Sequence, residues 1–250
     1  MQRYFTKTDS PIGSVYFTTD DEMIHHMRNV MRFKENENVV LVFNEAITFL
    51  SRIQSLTDEG ITFELVEEIK KNVELPLKVT IASAFPKGDK LKWITQKSTE
   101  LGASSFAFFP SSRSVVKLDK KKAMKKKESL EKIAMEASEQ SHRTHVPTVD
   151  FFGNFSSVCE SFKNYDKVLV AYEESAKIGE TTKFFSVVQD MKENEKLLLV
   201  FGPEGGFSEA EVEEMEAFLA IRVGLGPRIL RAETAPMYAL SAISTIRELM

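Results

Sequence analysis

From Leu77 to the end of the chain, short and almost wholly apolar runs alternate with stretches of helical length, and this alternation constrains the fold more than any other feature. The runs fall near Leu77–Phe85, Ser104–Pro110, Lys167–Tyr172, Leu197–Gly202 and Ile221–Leu225. Their apolar character is near-continuous rather than every second residue, as in strands covered on both faces, and the spacers suit helices that do the covering. Helices are expected at Lys87–Leu101, Asp119–Ser141, Phe155–Phe162, Thr181–Met191 and Ser208–Leu219, with a last one over Ala235–Leu249 that tolerates Pro236 in its first turn. Ser208-Glu209-Ala210-Glu211 has the spacing of a capping box and fixes a helix start just after a glycine loop. The expected class is α/β with a mainly parallel sheet.

The first seventy or so residues read differently. Arg3–Thr6, Val15–Thr18, Val39–Asn44, Ala46–Ser55 and Ile61–Ile69 are rich in β-branched and aromatic residues and suit short strands. One helix interrupts them, Asp20–Arg32, with acids at its start and Ile24, Met27, Val30 and Met31 on one face. A small β-barrel carrying one helix follows. Lys70–Pro76 (KKNVELP) is polar, ends in proline and sits where the pattern changes, so the domains are drawn as 1–72 and 73–250.

Charge and cysteine use exclude several classes. The net charge of -4 comes from residues 1–72, which hold 8 Lys+Arg against 12 Asp+Glu, while the remainder balances 25 against 25. Within that balanced part, Lys117–Lys132 carries eight lysines and three acids. Such a stripe is a solvated helix face unless other features point to nucleic acid. No apolar leader opens the chain, and runs such as Leu197–Phe201 are too short to span a bilayer, so a cytoplasmic protein is expected. A single cysteine, Cys159, permits no internal disulfide. His142 and His145 have an i, i+3 spacing that would suit a metal on a helix, but no third ligand is visible, and no metal is expected.

Two segments carry chemistry. Gly202-Pro203-Glu204-Gly205-Gly206 lies between an apolar strand and the capped helix, where glycines let backbone N–H groups approach a ligand. A tight strand-to-helix turn explains an isolated glycine triplet equally well. There is no GxxxxGK[ST], and no GxGxxG after the first strand of the α/β part, so P-loop and dinucleotide readings weaken. The second segment, Val223-Gly224-Leu225-Gly226-Pro227-Arg228-Ile229-Leu230-Arg231-Ala232-Glu233-Thr234-Ala235-Pro236, is another glycine-bearing strand end that runs through arginines into a helix. A purely structural loop rarely places two arginines, a glutamate and a threonine there.

VFGPEGGFSEAEV and LGPRILRAETA resemble the C-terminal signature of the 16S rRNA uridine-N3 methyltransferase family, within the trefoil-knot SPOUT methyltransferases. Agreement continues in order through RYF (Arg3–Phe5), HMRNVMR (His26–Arg32), KGDKLKWITQKSTELG (Lys87–Gly102), SRSVVK (Ser112–Lys117) and EASEQSHRTHVP (Glu136–Pro147). Ala232 stands where threonine is common, and Met31 where leucine is usual. The resemblance implies a PUA-like N-terminal barrel, a C-terminal knotted parallel sheet, S-adenosyl-L-methionine as cofactor, and a homodimer. It implies 16S rRNA as substrate, within an assembled small ribosomal subunit. It places the cofactor among Gly202, Glu204, Gly205, Leu225, Gly226, Leu230 and Thr234, although Leu230 also reads as plain core. Because N3 of uracil carries a proton, Arg231 is assigned to stabilising the developing negative charge and Glu233 to accepting the proton or positioning Arg231, an internal Arg231–Glu233 salt bridge being the alternative. The implied RNA contacts are Arg3, His26, Arg28, Arg32, Arg113, Lys117 and Arg143. The apolar face of the last helix (Tyr238, Leu240, Ala242, Ile243, Ile246) fits a dimer interface or the monomer core.

Three other readings remain open at this level: a knotted methyltransferase with a different RNA target, an RNA-binding module without catalysis, and a nucleotide-binding metabolic enzyme. Response to S-adenosylmethionine and to RNA separates them.

Overall fold

A computed structural model describes residues 1–9, 11, 13–114, 120–173 and 182–250. The chain divides into two compact units, Met1–Glu74 with Ser138–His145, and Leu75–Ala137 with Val146–Met250. A single cut in the sequence misses the eight-residue contribution of 138–145 to the first unit.

In the first unit, β1 (Arg3–Phe5), β2 (Val15–Thr18), β3 (Asn38–Val42), β4 (Thr48–Leu56) and β5 (Ile61–Glu68) form a curled sheet in the order β1-β3-β4-β5-β2. β1 runs parallel to β3 and the other pairs are antiparallel. Helix α1 (Asp21–His25) starts where the Asp20 carboxylate accepts the Met23 N–H at 3.1 Å. It continues as a π-helical turn over His26–Val30, with the Met31 N–H bonded to the His26 carbonyl at 2.9 Å. Ile24 and Met27 enter the core beside Tyr4, Leu41, Phe43, Ile53 and Phe63, but Val30 and Met31 are 57% and 42% exposed. The wider turn breaks the 3.6-residue period that placed all four on one face.

The second contribution to this unit centres on Glu74. Its carboxylate accepts Arg143 Nε at 3.0 Å and also Arg143 Nη2, the Thr144 N–H at 2.8 Å, the Thr144 hydroxyl at 3.2 Å and the His145 N–H at 3.2 Å. Arg3 Nη1 donates to the Arg143 carbonyl at 2.7 Å. Arg3 and Arg143 are only 7% and 3% exposed. Both are expected RNA contacts; the Arg143 guanidinium is held by Glu74, whereas Arg3, bonded through Nη1 to the Arg143 carbonyl, also lines a surface cavity with Lys70, Lys71 and His142. The HRTH segment is not a helix face, since α3 (Lys120–Gln140) has ended and His142 takes φ +59°.

The second unit is built on six parallel strands: β6 (Lys78–Ala84), β7 (Ser105–Phe109), β8 (Thr148–Phe151), β9 (Lys167–Ala171), β10 (Lys196–Phe201) and β11 (Ile221–Val223). Their order is β11-β9-β10-β6-β7-β8. The short β8 was not foreseen, because a four-residue strand containing Asp150 lacks an apolar run. The β10 run works as the sequence suggests: Leu197, Leu199 and Phe201 join one buried cluster and Leu198 and Val200 the other. α2 (Lys90–Glu100), α5 (Lys183–Asp190) and α7 (Thr234–Ser244) contribute Leu91, Ile94, Phe184, Val188, Leu240 and Ile243 to the first cluster. α4 (Phe155–Ser161) and α6 (Glu209–Ala217) contribute Val158, Cys159, Val212 and Met215 to the second. Among the described residues no helix is long and apolar enough to cross a membrane.

Candidate active site

In an open parallel sheet, ligands bind beyond the carboxyl ends of strands where the strand order reverses. Here β10 lies between β6 and β9, so the loops leaving these strands open a crevice. A cavity of ≈ 630 Å³ sits there, walled by Tyr172 after β9, the run Gly202–Phe207 after β10, and Ile229–Ala232 before α7. Lys90 and Arg113 complete its polar rim. A smaller cavity of ≈ 110 Å³, sharing Ile229 and Leu230 with the first, is lined by Leu225 and Gly226.

Both glycine loops have backbone reasons for their glycines. A Cβ on Gly202 would lie 3.1 Å from the Gly206 carbonyl carbon and 3.2 Å from its Cα, so the loop folds back on itself without room for a side chain. Gly206 and Gly226 take φ of +66° and +87°, a region unfavourable to other residues. The loop then enters α6 through a complete capping box between Ser208 and Glu211. Glu211 does more than cap. Its carboxylate also accepts the Ser112 N–H at 2.7 Å and the Ser112 hydroxyl at 2.9 Å, which ties the turn after β7 to the start of α6. Burial alone would raise the Glu211 carboxyl, but the N–H groups of Ser112 and Ser208, with both hydroxyls, hold it below the usual carboxylate range. Next to that anchor, Arg113 Nη1 donates to the Gly205 carbonyl at 2.7 Å.

The charged centre is a three-residue cluster. Lys90 Nζ lies 2.8 Å from Glu204 Oε1 and 3.0 Å from Glu233 Oε2, and the Lys87 N–H donates to Glu204 at 3.0 Å. Burial opposes ionisation of both carboxyls, yet hydrogen bonding and the Lys90 ammonium leave each below its ordinary pKa. The hydrogen bond to Glu204 leads the effects that raise Lys90. Arg231 is exposed, lines the cavity and acts on Glu233 as a nearby positive charge, while the ion-pair partner of Glu233 is Lys90.

The sequence thus located Gly202, Glu204, Gly205, Leu230 and Arg231 on the main cavity, and Leu225 and Gly226 on the smaller one. Glu233 reaches the rim through Lys90. Thr234 lines neither cavity, and its N–H closes a turn onto the Arg231 carbonyl at 2.8 Å. Among the expected RNA contacts, His26 Nδ1 is 3.0 Å from the Tyr4 hydroxyl and Arg28 pairs with Asp58. Arg32 is exposed at φ +57°. Lys117 lies outside the described residues. Lys90 and Ser112 were missed, and Glu211 was read only as a helix cap. Lys90 stood within a quoted motif, but an isolated lysine in a charged helix start gives no sign of a partner more than a hundred residues away.

Residues 73–244 match the RNA methyltransferase domain family, and residues 19–66 match the RNA methyltransferase PUA domain family. The chain is 47% identical to Ribosomal RNA small subunit methyltransferase E of Bacillus subtilis, over 100% of this chain and 98% of that protein. A crystal structure described as that of a hypothetical protein superposes with a TM-score of 0.91 at 44% identity, covering 99% of both chains. The Neisseria gonorrhoeae Ribosomal RNA small subunit methyltransferase E, solved bound to S-adenosyl methionine, gives 0.83 at 27% identity over 98% of each chain. With two glycine loops, a charged rim and a curled sheet bearing one helix already in place, these similarities lead to one conclusion: the chain belongs to the small-subunit ribosomal RNA methyltransferase E family.

Proposed function

We propose that the protein is an S-adenosylmethionine-dependent methyltransferase that modifies N3 of a uridine in the 16S rRNA of the small ribosomal subunit. The observation that carries this reading is the convergence of the two signature loops on one cavity, with Arg231, Lys90 and Glu204 at its rim and Glu233 paired to Lys90. The cavity is of cofactor size. Its lining fits the cofactor: glycine backbone at Gly202, Gly205 and Gly226 for polar groups, and Leu225, Ile229 and Leu230 for an adenine ring. When bound, S-adenosylmethionine supplies an electrophilic methyl group, and no metal is needed for its in-line transfer.

The remaining task belongs to the chain. A neutral uracil keeps a proton on N3, and its removal leaves negative charge on O2 and O4. Arg231, exposed at the rim, is placed to stabilise that charge and orient the ring. Glu233, kept ionised beside Lys90, takes up the proton. The first unit (1–72 in the linear division, with 138–145 added by the fold) presents Arg28, Arg32 and His26 to RNA, and Arg113 does so beside the cavity. Arg28 can exchange Asp58 for a phosphate at small cost, because that pair is exposed. A homodimer acting in the cytoplasm completes the reading, with Leu225, Tyr238, Ala242 and Ile246 in a surface groove suited to a second copy.

The test is transfer of labelled methyl from S-adenosylmethionine to small subunits lacking the modification, followed by nucleoside analysis. The expected product is 3-methyluridine. Label in another nucleoside moves the target, and absence of label despite cofactor binding rejects the reading. Within that assay, Glu233→Ala and Arg231→Ala are each expected to lose about 100-fold in rate.

A further inference from the structure

We propose that Lys90 is a positioning residue for this reaction, its ammonium drawing Glu204 and Glu233 to one point and so fixing the two signature loops relative to each other. The inference rests on the proposed function for the role of Glu233, though the clamp itself is geometric. Glu204 belongs to the loop that leaves β10, and Glu233 to the turn that enters α7. The two carboxylates lie 2.8 and 3.0 Å from the same nitrogen. The loop before α2 adds a second tie, since the Lys87 N–H also reaches Glu204. Lys90 is itself anchored, because Leu91 and Ile94 of the same helix are buried in the core. The cluster is half-screened from water, with side-chain exposures of 29%, 31% and 22% for Lys90, Glu204 and Glu233. An ammonium between two carboxylates is favoured there over a bare pair of like charges.

A consequence follows for proton transfer. The charged groups facing Glu233 are Lys90 from α2 and Arg231 from its own turn, with Glu204 on the far side of the ammonium. A carboxylate accepts a proton from N3 only while ionised, so activity falls as pH drops through the Glu233 pKa. Losing Lys90 removes the leading cation that keeps this value low, and the acidic limb of the rate profile moves to higher pH. Lys90 itself stays protonated between its partners and takes no proton.

The experiment uses the full-length protein with undermethylated small subunits and four variants: Lys90→Met, Lys90→Arg, Glu204→Gln and Glu233→Gln, plus the doubles of Lys90→Met with each glutamate change. Thermal unfolding establishes that each folds. Single-turnover methyl transfer is then followed against pH, and S-adenosylmethionine affinity is measured by calorimetry. Lys90→Met is expected to slow transfer at neutral pH roughly tenfold to a hundredfold, with the acidic limb displaced upward. Cofactor affinity should drop about fivefold through the Glu204 arm. Lys90→Arg should restore most of both. Each double variant should lose little beyond its worse single. Additive losses in both doubles, or a folded Lys90→Met with wild-type rate, pH profile and affinity, overturn the proposal. Near-wild-type transfer by Glu233→Gln, with Lys90 and Glu204 still coupled in cofactor affinity, overturns the acceptor role of Glu233 and leaves the clamp standing.

Discussion

Glu74 in the first unit and Glu233 in the second are both glutamates held by a basic side chain, but their surroundings differ. Glu74 accepts five hydrogen bonds, from Arg143, Thr144 and His145, and the arginine it holds is buried. Glu233 has one ammonium partner, Lys90, which lines the cavity. A saturated carboxylate is a structural rivet, because every lone pair is committed. A carboxylate with one shared cation retains capacity to accept something else. The contrast teaches that the number of donors around an acid, rather than its proximity to arginine in sequence, separates a support from a working group.

Four experiments press on that contrast. Removing the rivet should give the largest effect: Glu74→Ala leaves the Arg143 guanidinium buried without its counter-charge, and should lower unfolding free energy by about 3 kcal/mol in urea titration. If this variant is as stable as wild type, the division between the two acids collapses. The same residue makes a pH prediction. Burial opposes its ionisation, but Arg143 and the Thr144 donors hold the folded pKa below the ordinary 4.5. Its stabilisation is therefore full above pH 4.5 and is lost as pH falls through the lowered folded value. Glu74→Gln should flatten the acid side of the stability curve accordingly.

Gly202→Ala sharpens the working side. The added methyl meets the Gly206 backbone at 3.1 Å, so the loop must shift. Cofactor affinity by calorimetry should fall about tenfold while the unfolding midpoint changes little. The smallest effect is expected for Ser208→Ala, which removes one cap bond and one of the hydroxyls on Glu211, at about 1 kcal/mol by denaturant titration. A loss of methyl transfer larger than that stability change would show that Glu211 serves the Arg113 loop as well as the helix.

How much of this was legible in the sequence depended on range. Strand cores such as Leu197–Phe201 and the cap at Ser208 are local patterns, and they were read with small boundary errors. The glycine loops were also legible, because glycine marks unusual backbone wherever it is required. What failed was non-local or depended on an irregular turn. Nothing local in the sequence signals that Arg143 is held by Glu74, because that partner stands sixty-nine residues earlier. Val30 and Met31 looked buried because nothing in HMRNVMR announces a π turn. Lys90 passed unread because its two acids meet it only through the sheet.

The insertion of β10 between β6 and β9 also governs when the site comes into existence. During synthesis, the edge of β6 must wait unpaired for a strand that emerges more than a hundred residues later, since Lys78 registers with Lys196. Lys90 meets Glu204 across 114 residues, and Glu233 leaves the ribosome later still. A nascent chain that ends before Glu204 can complete much of the curled sheet but not the Lys90 cluster, which forms only once the turn that enters α7 has been made.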